Sequence, residues 1–197
     1  MELHRTVIGV LDLQGAVREH IAVLERLGVD ARRVRLPQEL EELDGLIIPG
    51  GESTTVGKLM ERYGLDLAIQ RRTGEGMAVF GTCMGLIVMA QRIEGSDQQR
   101  LGLMDICVRR NAFGRQVDSF EADIDIPSLG AEPVPAVFIR APIVLDAGPD
   151  VAVLGEWGGL PVAVRQGRFL GAAFHPELTD DTRFHNLFVQ MAGEGRR

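Results

Sequence analysis

The sequence predicts an α/β fold of three layers, in which helices cover both faces of an open, mixed but mainly parallel sheet. Three observations support this prediction. The first 95 residues alternate short β-branched runs with runs of helical spacing, which is the pattern of βαβ units. After Gly95 the chain changes to short strand-like runs separated by glycine and proline, and a helical stretch follows them. No internal repeat, linker or low-complexity segment divides the 197 residues, so we expect a single domain over 1–197.

The first half provides the alternating strands and helices. The first run ends at the turn-prone pair Gln14-Gly15, and apolar residues at 17, 21, 24 and 27 indicate a helix that ends at Gly28. Pro37 opens a short helix, and serine and threonine in capping positions begin the helix after the Pro-Gly-Gly turn. We therefore expect strands over 6–13, 30–35, 44–51 and 77–82, and helices over 16–28, 37–43, 53–64, 65–76 and 84–93.

The second half is predicted to add hairpins to the same sheet. Its apolar runs are short, and glycine or proline punctuates them, which is typical of antiparallel strands joined by turns. A final helix is expected from about Thr179 to Met191. The strand-like runs before it cover 103–111, 115–126, 136–148, 151–157, 160–167 and 168–174.

Composition and charge restrict the classes of function. A hydrophobic fraction of 45% and a charged fraction of 25% are typical of globular proteins. The net charge of −7 argues against nucleic acid or an anionic membrane as the main partner, and no apolar stretch reaches the roughly 20 residues that span a bilayer. The sequence begins without the features of a signal peptide, and Cys83 and Cys107 lie in unrelated contexts. We expect a cytoplasmic protein without a disulfide framework.

The segment Gly81-Thr82-Cys83-Met84-Gly85 marks a candidate nucleophile. It connects a predicted strand to a predicted helix, and ligands of open α/β sheets bind at the carboxyl ends of the strands. A cysteine flanked by glycines at such a turn has the pattern of a nucleophile elbow, since the glycines remove Cβ atoms that would clash. The adjoining helix terminus favours the thiolate. The alternative is a packed core cysteine, which is how we interpret Cys107.

A thiolate needs a proton partner, and His175 is the best candidate. It directly follows the strand-like run 168–174, and Pro176 stiffens the turn. Glu177, two residues later, is placed to accept a hydrogen bond from the imidazole and fix its tautomer. Together with Cys83 these residues would form a cysteine-nucleophile triad. The remaining histidines are expected to be solvated or structural, and they are His4, His20 and His185.

The Pro-Gly-Gly loop at 49–51 has two interpretations. The stretch "GGESTTVGK" resembles a phosphate-binding loop, but five residues separate Gly51 from Gly57 where that pattern needs four, and Leu59 stands where it needs serine or threonine. An oxyanion hole is favoured instead, formed by the backbone N–H of Gly51 beside that of Met84. No metal site is predicted, because the histidines are scattered and neither cysteine has a second at ligand spacing.

The motifs "GTCMG" and "FHPE" resemble the triad of the class I glutamine amidotransferases. A fuller set, "LQGAVREH", "IIPGGESTT", "RRNAFGRQVDSFE", "FIRAP" and "AAFHPELTDD", is similar to the glutaminase subunits of pyridoxal 5′-phosphate synthases, and the similarity runs from about Val7 to Val189. The triad motif is specific only to the superfamily, whereas "RRNAFGRQ" and "FIRAP" indicate this subunit. The resemblance implies a class I glutamine amidotransferase-like, flavodoxin-like fold and a single glutaminase domain over 1–197. One small departure is Met84, where the family commonly has alanine.

The resemblance implies roles for particular residues. Cys83 would attack the side-chain amide of L-glutamine, His175 would carry the thiol proton to the departing ammonia, and Glu177 would orient His175. The amides of Gly51 and Met84 would hold the oxyanion. The residues implied to line the glutamine pocket are Gly51, Glu52, Ser53, Arg110, Ile139 and Arg140. Arg109 alternates with Arg110 on a strand and is expected to face away from the pocket. No cofactor is implied.

The resemblance also implies a partner, a separate synthase subunit that combines the ammonia with a pentose phosphate and a triose phosphate to form pyridoxal 5′-phosphate. Three alternatives remain open. The glutaminase subunit of imidazole glycerol phosphate synthase, which serves histidine biosynthesis, shares the triad, but "RRNAFGRQ" and "FIRAP" weigh against it. The absence of a secretory signal weighs against a freestanding amide or γ-glutamyl hydrolase. A catalytically silent binding module of the same fold is disfavoured because all three triad positions are filled.

Overall fold

The computed structural model describes residues 5–112 and 119–194. Outside this range lie His4, the part of the predicted run 115–126 before Ser119, and the part of "RRNAFGRQ" from Phe113 onward. The helices are α1 (Val17–Arg26), α2 (Ser53–Tyr63), α3 (Leu65–Gly74), α4 (Met84–Met89) and α5 (Arg183–Gly193). The strands are β1 (Val7–Leu11), β2 (Asp30–Val34), β3 (Gly45–Ile48), β4 (Ala78–Thr82), β5 (Ala90–Ile93), β6 (Met104–Arg109), β7 (Ser119–Ile124), β8 (Val134–Ile139), β9 (Ile143–Ala147), β10 (Ala152–Trp157), β11 (Leu160–Gln166) and β12 (Phe169–Ala172).

A seven-stranded sheet forms the centre of the molecule, in the order β10-β11-β12-β4-β3-β1-β2. The pairs from β12 to β2 are parallel, and β10, β11 and β12 pair antiparallel at the other edge. Strands β1, β3 and β4 are buried along their whole length, as expected for parallel strands covered on both faces. The predicted fold class, a mixed but mainly parallel sheet, is therefore confirmed.

Helices cover both faces of this sheet, as two neighbouring residues of β4 demonstrate. The ring of Phe80 lies 5.4 Å from that of Phe184 and 5.5 Å from that of Phe188, both in α5. Gly81 points to the opposite face because side chains alternate along a strand. A Cβ atom there would meet the backbone of Gly85 and the sulfur of Met89, both in α4. No helix in the described part of the chain is long and apolar enough to cross a bilayer.

The helix predicted over 84–93 is corrected by the structure. Helix α4 ends at Met89, and Ala90 has the extended backbone (φ −66°, ψ 146°) that begins β5. Strand β5 pairs with β6 at Ala90–Met104 and Ile93–Val108, contacts distant in the sequence. An apolar run of this length fits a helix or a strand equally well, so only the distant partner decides between them.

The predicted hairpins extending the central sheet are only partly correct. Strands β10, β11 and β12 do extend it, but β5-β6-β9 and β7-β8 form two separate sheets. The predicted run 136–148 is divided between these sheets at Arg140, whose φ of 43° interrupts the strand. The last helix begins at Arg183 rather than near Thr179, because Pro176–Leu178 forms a separate 3-10 turn. The helix predicted over 37–43 is likewise a single 3-10 turn, Pro37–Leu40.

Candidate active site

Cys83 occupies the sharp turn between β4 and α4. Its backbone has φ 50° and ψ −104°, a conformation that an L-residue adopts at a cost of order 1–3 kcal/mol. A hydrogen bond from its amide to the carbonyl of Ala172, 2.8 Å long, fixes the turn to the end of β12. Its thiol lies 3.7 Å from the carbonyl oxygen of Ile139 and is only 7% exposed. The turn therefore holds one sulfur atom in a defined position at the end of a strand.

The two glycines that flank Cys83 are required by close backbone contacts. A Cβ atom at Gly85 would lie 2.0 Å from the carbonyl oxygen of Ile48 in β3. A Cβ atom at Gly81 would lie 2.5 Å from the carbonyl carbon of Gly85. These contacts are far shorter than a van der Waals distance, so the glycine-cysteine-glycine spacing has the steric origin that the sequence predicts.

His175 and Glu177 lie at the end of β12, the strand next to β4. The pairing of Ala172 with Thr82 brings the two strand ends together, and the amide of His175 donates to the carbonyl of Val137 at 2.8 Å. Nδ1 of His175 lies 2.7 Å from Oε1 of Glu177, and both side chains are buried. One strand pairing thus brings together Cys83 and His175, which are 92 residues apart in the sequence.

The electrostatics of this group depend on all three side chains. Burial lowers the pKa of His175, but its hydrogen bonds with Cys83 and Glu177 outweigh burial and raise that pKa to about 10. Burial raises the pKa of Glu177, but the nearby His20 and the hydrogen bond with His175 lower it overall. These contacts therefore stabilise the imidazolium that His175 becomes when it takes the proton of the thiol, and this imidazolium can give the proton back.

A cavity of about 130 Å³ opens beside the thiol. Its wall contains Cys83 together with every residue that the sequence predicts for the oxyanion hole and the glutamine pocket. These predicted residues are Gly51, Met84, Glu52, Ser53, Arg110, Ile139 and Arg140. Two further lining residues, Ile87 and Asn111, were not predicted. Arg109, the last residue of β6, is absent from the wall and instead forms an exposed ion pair with Glu94, so it faces away from the pocket as expected.

Backbone strain is concentrated at this cavity. Among the described residues, the non-glycine residues with positive φ are Cys83 (50°), Asn111 (48°) and Arg140 (43°), and all of them line it. The amide of Ala112 donates to the carbonyl of Ala141 at 3.1 Å, which ties together the two loops that carry Asn111 and Arg140. Strained residues cluster at functional sites because the surrounding structure must hold them there.

Glu52 lies in the cavity wall, but its carboxylate is engaged in capping α2. It accepts hydrogen bonds from the amides of Thr54 and Thr55 at 2.9 and 2.8 Å and from the hydroxyl of Thr55 at 2.6 Å. These bonds, the hydroxyl of Thr55 first, lower the pKa of Glu52 to about 2. The amide of Glu52 donates to Oε1 of Gln14 at 3.2 Å. The side chain thus fixes the loop that presents Gly51.

Several polar residues that lie next to the site were not predicted from the sequence to belong to it. Gln98 accepts hydrogen bonds from Nη1 of Arg110 at 2.8 Å and from the hydroxyl of Ser53 at 3.3 Å. His20 and His185, predicted to be solvated or structural, are completely buried behind the triad. Each stands on the apolar stripe of its helix, which was the available signal. Among the described residues, no group of three or more His, Cys, Asp or Glu side chains is arranged to hold a metal ion.

This fold, with a cysteine at a strand-to-helix turn and a histidine–glutamate pair on the neighbouring strand, defines a class I glutamine amidotransferase. A solved glutamine amidotransferase superposes with a TM-score of 0.91 at 51% identity, covering 94% of this chain and 98% of that one. A glutamine amidotransferase from Thermotoga maritima shares the fold alone, with a TM-score of 0.61 at 12% identity over 98% of this chain and 86% of its own.

The family is more specific than the class. Residues 10–194 match the model of the SNO glutamine amidotransferase family, and the chain belongs to that family. A curated relative from Carboxydothermus hydrogenoformans, named pyridoxal 5′-phosphate synthase subunit PdxT, is 54% identical over 95% of this chain and 98% of its own. Proteins of the same name from Niallia circulans and Thermus thermophilus are 55% and 54% identical, each over 96% of this chain and 99% of their own.

Proposed function

We propose that this chain is the glutaminase subunit of a pyridoxal 5′-phosphate synthase. It hydrolyses L-glutamine to L-glutamate and ammonia and delivers the ammonia to a synthase subunit. The observation that carries the proposal is the thiol–imidazole–carboxylate group beside a cavity, in a chain whose relatives at 54–55% identity are named as subunits of that synthase. We treat the chain as one glutaminase domain over 1–197.

The proposed reaction begins with the thiol of Cys83. Its proton passes to His175, and the sulfur forms a bond to the side-chain amide carbon of glutamine. Collapse of the tetrahedral intermediate breaks the carbon–nitrogen bond, and the imidazolium gives its proton to the departing ammonia. Water, deprotonated by His175, then cleaves the thioester and releases glutamate. Throughout, Glu177 holds Nδ1 of His175 at 2.7 Å so that the other ring nitrogen faces the sulfur.

The negative oxygen of the intermediate needs hydrogen-bond donors, and we assign this role to the amides of Gly51 and Met84. Both residues line the cavity next to Cys83. Met84 is the first residue of α4, where helix geometry leaves the amides without acceptors inside the helix. Only its backbone is needed, so methionine serves as well as alanine. One such donor is typically worth about 2.7–4 kcal/mol in the transition state.

Two arginines in the cavity wall suit the charged end of glutamine. We propose that Arg110 and Arg140 bind the α-carboxylate, because a guanidinium can hold a carboxylate with two hydrogen bonds. Gly51, Glu52 and Ser53 also line the cavity, as does Ile139, whose carbonyl oxygen lies 3.7 Å from the thiol of Cys83. Because Arg110 and Arg140 are exposed and Cys83 is buried, the amide of glutamine lies near the sulfur and its charged end lies toward solvent.

The product ammonia is proposed to pass directly to the synthase subunit, where it enters the ring of pyridoxal 5′-phosphate together with a pentose phosphate and a triose phosphate. We place the reaction in the cytoplasm, a reducing compartment in which a free Cys83 thiol persists. The glutaminase of imidazole glycerol phosphate synthase is not favoured, since the near-full-length relatives described above bear the other name.

The test combines the chain with the synthase subunit and measures cofactor formation from two nitrogen sources. Cys83→Ala should abolish formation from glutamine and leave formation from added ammonium intact. The matched control is Cys107→Ala, because Cys107 is the second free cysteine and lies outside the cavity. Glutamine-driven formation that survives Cys83→Ala would contradict the proposed function. A silent binding module would show no glutamine-driven formation even in the unsubstituted chain.

A further inference from the structure

A buried polar cluster lies behind the triad, on the side away from the cavity. It consists of His20 in α1, Thr82 at the end of β4, His185 in α5 and the carboxylate of Glu177. Nδ1 of His20 lies 2.9 Å from Nε2 of His185, and Nε2 of His20 lies 3.2 Å from the hydroxyl of Thr82. The same Nε2 lies 3.5 Å from Oε2 of Glu177. His20, Thr82 and His185 have no solvent exposure.

The two oxygens of Glu177 have different neighbours. Oε1 is bound to His175, whereas Oε2 has no hydrogen-bond partner among the described residues and faces Nε2 of His20. At 3.5 Å this second contact is electrostatic and longer than a normal hydrogen bond. A carboxylate on a side chain without solvent exposure needs stabilisation of its charge, and His20 is the group that faces the otherwise unpaired oxygen.

The contacts select one tautomer for each histidine. If Nε2 of His20 were unprotonated, its lone pair would face the negative oxygen of Glu177, which is repulsive. Protonation at Nε2 points an N–H toward Glu177 and Thr82 and leaves Nδ1 as an acceptor. Nε2 of His185 then donates to that acceptor, and its Nδ1, which has no partner in the described structure, is the unprotonated nitrogen. This choice leaves no N–H buried without an acceptor.

Both histidines of the cluster are neutral at pH 7. Burial lowers the pKa of His20 more than Glu177 raises it, and His175 adds to the lowering while Glu19 opposes it. Burial, followed by His20, lowers the pKa of His185 to about 3 against the opposing effect of Glu177, with Arg26 as a further cause of lowering. A neutral donor stabilises the charge of Glu177 without neutralising it, so the carboxylate remains available to His175.

We propose that His20 is a positioning residue for the reaction, which holds the carboxylate of Glu177 ionised and oriented toward His175, and that His185 fixes the tautomer in which His20 does so. The inference rests on the proposed glutaminase function. His20 also contacts Thr82, the residue before Cys83, so one side chain of α1 touches both strand ends that carry the triad. His20 does not touch the cavity, and its effect passes through Glu177.

The experiment replaces His20 with either of two amide side chains, each of which mimics one nitrogen of the imidazole. Both variants are made in the full chain and assembled with the synthase subunit. In His20→Gln the amide nitrogen stands where Nε2 stood, so the donor toward Glu177 is kept. In His20→Asn the amide reaches only the position of Nδ1, so that donor is lost. Val23→Ala is the control, because Val23 is buried on the same helix and takes no part in the polar contacts of the cluster. Each variant is assayed for glutamine hydrolysis across pH.

We expect His20→Asn to lower kcat/KM about tenfold to hundredfold, the usual effect of losing a donor to a charged group. Its acid limb should move to higher pH, because Oε2 of Glu177 loses the N–H that faces it and the carboxylate then ionises less readily. His20→Gln should recover most of the rate, and Val23→Ala should lower Tm without moving the acid limb. The pH dependence of Cys83 alkylation by iodoacetamide gives a second readout that needs no turnover.

Three outcomes would overturn the inference: an acid limb that is unchanged in His20→Asn, equal effects of the two amides, or an equal shift in Val23→Ala. If one amide variant fails to fold, the pH dependence of Cys83 alkylation in the other variant tests the inference. His20→Gln must then match the unsubstituted chain, or His20→Asn must differ from it and from Val23→Ala. A failure of the proposed function itself appears differently. In that case the unsubstituted chain releases no glutamate from glutamine in the complex.

Discussion

Nδ1 of His175 and Oε1 of Glu177 lie 2.7 Å apart although only Pro176 separates the two residues in the chain. This contact is possible because Pro176–Leu178 forms a 3-10 turn, which folds the carboxylate back toward the imidazole. Both side chains are buried, so solvent does not weaken the attraction between them. The pair therefore sets the charge of the imidazole that faces Cys83.

Replacing the carboxylate tests this relationship directly. Glu177→Gln removes the negative charge that helps to raise the pKa of His175, so the thiolate–imidazolium pair becomes less stable. We expect kcat for glutamine hydrolysis in the complex to fall about 10²- to 10⁴-fold. Glu42→Gln, which changes an exposed carboxylate paired with Arg32, serves as the control and should keep full activity. A Glu177→Gln variant within twofold of the unsubstituted rate would show that the pair has no catalytic importance.

A methyl group at Gly50 would test how tightly His175 is packed. A Cβ atom there would lie 2.3 Å from Cε1 of His175 and 3.3 Å from Cβ of Cys83. Gly50→Ala must therefore displace the imidazole, and a displacement of about 1 Å can cost about 10²-fold in rate. Gly74→Ala is the matched control, because a Cβ atom at Gly74 meets nothing within 4 Å. Equal kcat values for the two variants in the hydrolysis assay would refute the steric explanation.

Local pattern and the common direction of parallel strands predicted the position of Cys83, whereas His175 was placed only after a strand-like run whose pairing was not predicted. In the structure β12 pairs parallel to β4, so both residues lie at the same edge of the sheet. The position of Cys83 thus required local pattern and one rule of topology, and His175 was chosen among four histidines by its local sequence. The residues of the cavity wall came from the family resemblance, since nothing in local spacing indicates that the loops at Arg110 and Arg140 meet.

What the sequence could not provide depends on contacts between distant segments. His20 and His185 are 165 residues apart, and each alone is a polar residue on an apolar stripe. The strand at Ala90–Ile93 was predicted as helix because its partner β6 lies beyond an intervening loop. In both cases the local sequence permits two structures, and the free energy of a distant pairing selects one.

The two adjacent arginines of the site offer a natural comparison. Arg110 lines the cavity and donates to Gln98 at 2.8 Å, whereas Arg109 is paired with Glu94 on the outer surface. We expect Arg110→Ala to raise KM for glutamine about tenfold to hundredfold with little change in kcat, because it removes a charged contact made equally in the ground and transition states. Arg109→Ala should leave both constants unchanged. Steady-state kinetics of the complex measure the difference, and a KM that rises equally in both variants would exclude a specific role for Arg110.

The buried histidines should make the protein sensitive to mild acid. His185 has a pKa of about 3 in the folded protein and about 6.5 in the unfolded chain. Below pH 6.5 the unfolded state therefore binds one more proton, and the folding stability decreases as the pH is lowered. The loss is about 1 kcal/mol for one such group between pH 6.5 and 5.5, because the unfolded imidazole is already half protonated at pH 6.5. The lowered pKa of His20 acts in the same direction. The raised pKa of His175 gives a contribution that is constant below pH 6.5 and is lost only as the pH rises from 6.5 toward 10.

Urea unfolding of the full chain at pH 6.5 and 5.5 measures this dependence, and His185→Phe isolates the contribution of one ring. The variant keeps an aromatic side chain beside Phe184, and position 185 then carries no group that titrates in this range. Its free energy of unfolding should be lower at both pH values, because Nδ1 of His20 loses its partner. Between pH 6.5 and 5.5 this free energy should also fall less than it does in the unsubstituted chain, because about one proton fewer is taken up on unfolding. A slope equal to that of the unsubstituted chain would mean that His185 does not remain neutral in the folded protein, and the tautomer assigned to His20 would then have to be abandoned as well.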